Sequence, residues 1–340
     1  MNHPLATIDQ ATLDWLLEPE NPTVRRDTLR HLLDRPEDDP EVVEAGRAIM
    51  RNGPVPEILS QQAPEGFWGI DDRFYLDKYA GTVWQLLMLA ELGADPQDGR
   101  IAAACRFILD HAQERTSGGF SINGTREHGG RPSKVIPCLT GNMVYSLIRL
   151  GHLDDPRTQA GIDWICRYQR CDDGDGLSAG LPQDWAKTWP YSRYDMCWGN
   201  HTCHMGVVKA LKALAAIPEI GRSPAVAGKI GELTEYMLAH HVYKKSHAPD
   251  QVARPGWMKF GFPLMYQSDA LEVLGILASL GCRDDRMRDA LALVRSKQGS
   301  NFRWPMENTF NGKMRVDIEK KGRSSKWLTL RAVAALRACD

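Results

Sequence analysis

The stretch YDMCWGNHTCHMG, residues 194–206, places two thiols and two imidazoles within eight residues: Cys197, His201, Cys203 and His204. In helical geometry Cys197 and His201 stand at i and i+4 on one face, His204 continues that stripe at i+7, and Cys203 points elsewhere. Thiolate and imidazole donors suit zinc, which takes tetrahedral N, S and O ligands and keeps one position open in catalytic sites. Without a metal, a thiol beside an imidazole can do nucleophilic or acid–base work. The competing reading is plain packing, because the stripe runs on into Val208 and Leu211 and cysteine is commonly buried.

Other residues with chemical potential lie elsewhere. Aromatic side chains precede or open apolar stretches at Tyr79, Trp84, Trp198, Tyr266 and Trp327, where ring faces can line an apolar pocket or stabilise a developing cation. Asp269, in MYQSDALEV, is a carboxylate among them: a general acid or base, with His204 as a second proton carrier, or a helix N-cap. The basic segment 308–332 brings Arg323 and Lys326 beside the last apolar stretch, where they would reach an anionic head group, or would sit in a solvated loop.

These residues need elements to hold them, and an internal repeat supplies the elements. Segments ending in Gln and a Gly/aromatic turn recur as ILSQQAPEGFWG (58–69), FILDHAQERTSGGF (107–120), WICRYQRCDDGDGL (164–177) and LVRSKQGSNFRW (293–304), with YMLAHHVYKKSH (236–247) as a degenerate copy. From Gln62 through Gln113, Gln169 and His241 to Gln298 the steps are 51, 56, 72 and 57 residues. Between them run stretches that are apolar around most of a helix: 79–94, 139–152, 198–215, 266–281 and 324–338. Buried and one-sided helices in alternation predict an all-α fold, an inner ring of helices inside an outer ring, with no convincing strand. The helix pair at 21–33 and 41–50 is a sixth inner helix or a lid, and one domain over 1–340 is expected.

Composition narrows the function. The 42 Lys plus Arg nearly cancel 43 Asp plus Glu, leaving a net charge of −1, so no global field recruits nucleic acid. No run approaches the ~18 apolar residues of a membrane span. The first residues lack a secretory pattern, which points to the cytoplasm, where most of the eight cysteines would be free thiols.

The QQAPEGFWG turn resembles the QW motif of squalene cyclases, and together with the alternating helices it is similar to the α/α toroid shared by terpenoid cyclases and protein prenyltransferase β subunits. The resemblance covers about residues 50–338 and speaks to fold more than function. It implies a central cavity for an isoprenoid-like molecule. A protonating DxDD motif is absent from CDDGDG (171–176) and VDIE (316–319), and DDRFY (71–75) and DDPEV (38–42) lack the third carboxylate of DDxxD. The zinc set of prenyltransferases maps better: His201 matches the ligand His, Cys138 in VIPCLTG matches the ligand Cys, and the Asp position falls on Ile136. Cys197 or Asp195 would fill that vacancy. The reading that results is an enzyme with zinc held by Cys138, Cys197, His201 and Asp195, carrying out transfer, cyclisation or elimination on a hydrophobic molecule. The alternatives are a lipid-binding toroid with structural zinc and a metal-free Cys/His lyase or isomerase.

Overall fold

A computed structural model describes residues 8–172, Cys197 and residues 202–339. Among these residues the chain is mostly α-helical. The helices are α1 (Gln10–Leu16), α2 (Pro22–His31), α3 (Pro40–Ile49), α4 (Pro54–Ser60), α5 (Thr82–Leu92), α6 (Gly99–His111), α7 (Pro137–Arg149), α8 (Pro156–Tyr168), α9 (His204–Ala215), α10 (Pro224–Ala239), α11 (Ala270–Ser279), α12 (Arg288–Ser296) and α13 (Lys326–Cys339). Where no strand was expected there are two short antiparallel pairings, Gly124–Thr125 with Gly129–Gly130 and Lys244–Lys245 with Ala248–Val252. Both lie in connections between helices and carry none of the core.

Two classes of helix follow from burial. In α5, Thr82 to Ala90 and Leu92 are all buried, whereas α12 buries only Ala290 and Val294. The apolar class packs in sequence: α2 against α13, α13 against α11, α11 against α9, α9 against α7 and α7 against α5. The path returns to its start where Thr23 Oγ1 on α2 donates to the Leu92 carbonyl of α5 at 2.7 Å. Of the amino-terminal pair, α2 takes the sixth place in this path although only five of its ten residues are buried and it is the least apolar of the six. The one-sided helices α3, α6, α8, α10 and α12 pack on α2, α5, α7, α9 and α11, and α1 lies against α13 and α2.

The repeat has a hydrogen-bond basis. Gln62 Nε2 donates to the Arg100 carbonyl at 2.9 Å, and Gln113 Nε2 donates to the Arg157 carbonyl at 2.6 Å; each acceptor is the second residue of the next one-sided helix. The turn aromatics then hand their backbone N–H to a threonine of the next apolar helix: Trp68 to Thr82 (3.1 Å), Phe120 to Thr140 (2.9 Å) and Trp304 to Thr329 (3.0 Å). Two indoles close back on the preceding helix, Trp68 Nε1 on Ile58 O and Trp304 Nε1 on Val294 O. Gly66 and Gly118 sit at φ +97° and +85°, and a Cβ there would meet the carbonyls of Ala103 and Ala160 at 2.6 and 2.3 Å. Glycine is required at both points by backbone angle and by close approach. Asp98 and Asp155 cap the helices so reached, each accepting an N–H from the second helical residue at 2.8 Å.

Candidate functional site

The thiols meet where α7 and α9 begin. Cys138 is the second residue of α7 and is buried; Cys203 is the N-cap of α9. Cys203 has extended backbone angles (φ −68°, ψ 100°), which interrupts the helical register between Cys197 and His204. The i, i+7 stripe from Cys197 to His204 is therefore not built, and Cys203, expected to point elsewhere, is hydrogen-bonded to Cys197. That bond, with the Gly206 and Met205 amides at the start of α9 and the charge of Arg254, outweighs burial and brings the Cys203 thiol down to about 7. The same bond and burial push the Cys197 thiol far up, while burial and then the Cys203 charge push Cys138 up to about 12. Among the described residues no three of His, Cys, Asp and Glu are arranged to hold a metal ion. His201, Asp195 and Trp198 lie outside the described residues.

A second cluster is an aromatic wall. Tyr79 packs edge-on against Trp84 at 5.2 Å, stacks with Tyr266 at 6.3 Å and meets Phe310 at 4.2 Å. Three aromatics named from the sequence, Tyr79, Trp84 and Tyr266, are thus brought together. Burial, and then a hydrogen bond with Tyr266, hold the Tyr79 hydroxyl well above its ordinary range. Lys78 was not anticipated: its exposed ammonium lies over the rings of Tyr266 (4.7 Å), Tyr75 (4.8 Å) and Trp84 (5.7 Å), and its charge reaches Cys138. Trp327 is elsewhere, stacked on Phe262 at 4.0 Å.

Asp269 is the N-cap of α11. Its Oδ1 accepts the Glu272 N–H at 2.8 Å and its Oδ2 accepts the Gly261 N–H at 3.0 Å, so both oxygens serve the backbone. Burial raises its carboxyl to about 7, against the pull of those amides. His204 faces α10 and the loop beyond, its ring against Trp257 (4.4 Å), His240 (4.6 Å) and Tyr236 (5.6 Å). Lys326 pairs with Glu18 at 2.6 Å, and Arg323 is exposed. The structure does not bring these two cations to the thiols.

Sequence reasoning missed an ion network between the apolar helices. Lys209 Nζ on α9 donates to both oxygens of Glu272 on α11, at 2.8 and 2.7 Å. Lys212 bridges Glu272 at 3.0 Å and Glu91 on α5, and Arg331 on α13 reaches Glu91 at 2.6 Å. Burial would raise the Glu91 carboxyl, but the Lys212 and Arg331 charges outweigh it and hold the group at about 2. Lys209, 1% exposed, is held below the ordinary lysine range by burial. One sign was readable: each charge interrupts an otherwise apolar helix, as in MLAELG, VVKALKALA, DALEVLG and WLTLRAVAAL.

No protein-family model and no curated protein sequence matches the chain. Among solved structures, a variant of the type II terpene cyclase MstE from Scytonema, in complex with its substrate geranylgeranyl dihydroxybenzoate, is 16% identical with a TM-score of 0.42. The alignment covers 94% of this chain and 87% of that one. A protein from Actinoplanes is 14% identical with a TM-score of 0.28, covering 86% of this chain and 99% of that one. No helix among the described residues is long and apolar enough to cross a membrane.

Proposed function

We propose that α2, α5, α7, α9, α11 and α13 form the inner ring of an α/α toroid, and that the chain is an enzyme acting on an apolar, isoprenoid-like small molecule at the end of the ring where the thiols lie. The observation that carries this reading is Cys203: a thiol hydrogen-bonded to a second thiol and to the first amides of α9. Bonds of this kind favour the thiolate, the form of cysteine that acts as nucleophile or metal ligand. The resemblance of the repeat turn to the QW motif supports the apolar substrate class, as do the rings of Tyr79, Trp84, Tyr266 and Phe310, which offer π faces and exclude water.

The donor chemistry fits zinc. The described thiols alone do not form a ligand set, so Cys138 and Cys197 would hold it only together with His201 and Asp195, and bound zinc would supply Lewis acidity or an activated thiolate. The chain's own residues do the rest. The Gly206 and Met205 amides stabilise negative charge on Cys203, the aromatic wall orients an apolar chain, and Lys78 sets a positive charge at its edge. Transfer, cyclisation and elimination are the reactions such a centre serves.

The test reads the thiol directly. Alkylation of the full-length chain by iodoacetamide, followed by peptide mapping across pH 5–10, should give a midpoint near 7 at Cys203 that rises in Cys197→Ala. A midpoint in the usual thiol range, about 8.5, would overturn the activated-thiol reading. Elemental analysis of protein purified without a His-tag decides the metal separately: zinc near one per chain supports the metal form, and zinc in only a few per cent of chains removes it.

A further inference from the structure

The ion network has more positive charge than it can answer. Lys209, Lys212 and Arg331 face Glu91 and Glu272 between α5, α9, α11 and α13, and the third acid in range, Asp269, is raised by burial to about 7, so the cluster carries net positive charge at and below neutral pH. Every carboxylate oxygen is already used: Glu272 Oε1 by Lys209 and Lys212, its Oε2 by Lys209, Glu91 Oε1 by Lys212 and its Oε2 by Arg331. A surplus charge enclosed by protein is costly unless something pairs with it.

Unused donors surround that surplus. Among the described residues Arg331 gives one of its five N–H groups to protein, to Glu91, while its guanidinium plane covers the Phe262 ring at 4.6 Å. Trp327 stands one turn earlier on the same face of α13, its ring centre 5.9 Å from the Arg331 guanidinium carbon; it is 3% exposed, and its buried Nε1–H has no acceptor among the described residues. From α7, Tyr145 lies beneath Lys212 with its ring centre 4.5 Å from the ammonium. Arg331, although surrounded by helices, keeps 27% of its side-chain surface accessible, so open space adjoins the guanidinium.

We propose that Arg331, Lys212, the Trp327 indole N–H and Tyr145 form a seat for one oxyanion: a phosphate or carboxylate group. Guanidinium and ammonium groups bind such oxygens through charge-assisted hydrogen bonds, and the indole N–H adds a neutral donor of fixed direction. The seat stands on these residues and not on the thiols. Only its use for the head group of an amphipathic substrate rests on the function proposed above.

Calorimetry with the full-length chain tests both parts. Inorganic phosphate titrated at constant ionic strength should bind saturably, and Arg331→Gln should weaken it by about tenfold or more, while Arg51→Gln, on the exposed surface, should match the wild type. If Arg331→Gln fails to fold, Tyr145→Phe should still show weaker phosphate binding with helicity unchanged. Absence of saturable phosphate binding by the wild type, or wild-type affinity in both Arg331→Gln and Tyr145→Phe, would overturn the seat. Dodecyl phosphate binding more tightly than both phosphate and dodecanol supports a head-group site; tight phosphate with no gain from the alkyl chain leaves the seat and removes the link to the proposed substrate.

Discussion

The thiol end of the apolar helices and their charged middle are built from opposite kinds of residue. At the thiol end the chemistry comes from neutral or weakly acidic groups, Cys138, Cys197, Cys203 and a set of rings, and a hydrogen bond between two thiols moves one of them to about 7. In the middle it comes from full charges locked into pairs, with Glu91 held at about 2. The first arrangement leaves a group poised near neutral pH. The second fixes its groups in one charge state and thereby fixes the packing of four helices against one another. Reactivity and rigidity are thus assigned to different sets of residues on these helices.

The largest test of that contrast is to break a pair. Glu272→Leu leaves Lys209 buried without a carboxylate and should cost about 3–5 kcal/mol by urea unfolding. Lys209→Met added to it should restore most of the loss, because an apolar pair of similar volume replaces the ion pair. A cost below about 1 kcal/mol for Glu272→Leu would mean that the middle behaves as a solvated surface and the contrast is void.

The next effect follows pH, and two buried carboxyls differ in sign. Asp269, at the head of α11, has a folded value of about 7 against 3.8 for the ordinary group, so the folded chain keeps a proton that the unfolded chain has lost. Its contribution to stability is complete below pH 4 and falls as pH rises through 7. Glu91 is depressed from 4.5 to about 2, so its contribution is present above pH 4.5 and is lost as pH falls toward 2. Urea midpoints from pH 4.5 to 8 should decline in the wild type, each unit of pKa difference being worth about 1.4 kcal/mol, and the decline should flatten in Asp269→Asn. An unchanged slope in that variant would remove Asp269 as its source.

Much of the helical plan was legible because it repeats. The apolar stretches 79–94 and 266–281 contain α5 and α11, 139–152 and 324–338 overlap α7 and α13 to within two residues of an end, and the Gln-bearing turns sit where Gln62 and Gln113 bond the next helix. The threonines that complete those turns, Thr82, Thr140 and Thr329, were not legible, since a threonine in an apolar helix looks like packing until its partner N–H is seen. Helices α1 and α4 escaped because each has seven residues, too few for a period to declare itself. At the site, cysteines stood out by rarity, but their grouping did not. Assigning one continuous helix across 197–204 sent Cys203 away from Cys197, and an N-cap at Cys203 reverses that. Lys209, Lys212 and Glu272 were passed over because lysine and glutamate spaced along a helix usually mark a wet face.

The smallest expected effect separates two lysines. Lys209 has its ammonium between two carboxylate oxygens and is buried; Lys78 has its ammonium over three rings and is exposed. An exposed cation–π contact is worth about 0.5–1 kcal/mol, so Lys78→Met should lower stability by no more than that, because the methionine stem still covers the rings. The reactive end should respond instead. The Lys78 charge is among those that pull the Cys138 thiol down against burial. Removing it should therefore slow Cys138 alkylation at pH 8–9 while Cys203 keeps its midpoint. Unaltered Cys138 reactivity together with a stability loss of several kcal/mol would place Lys78 with the structural lysines, and the division between a poised end and a locked middle would fail at that residue.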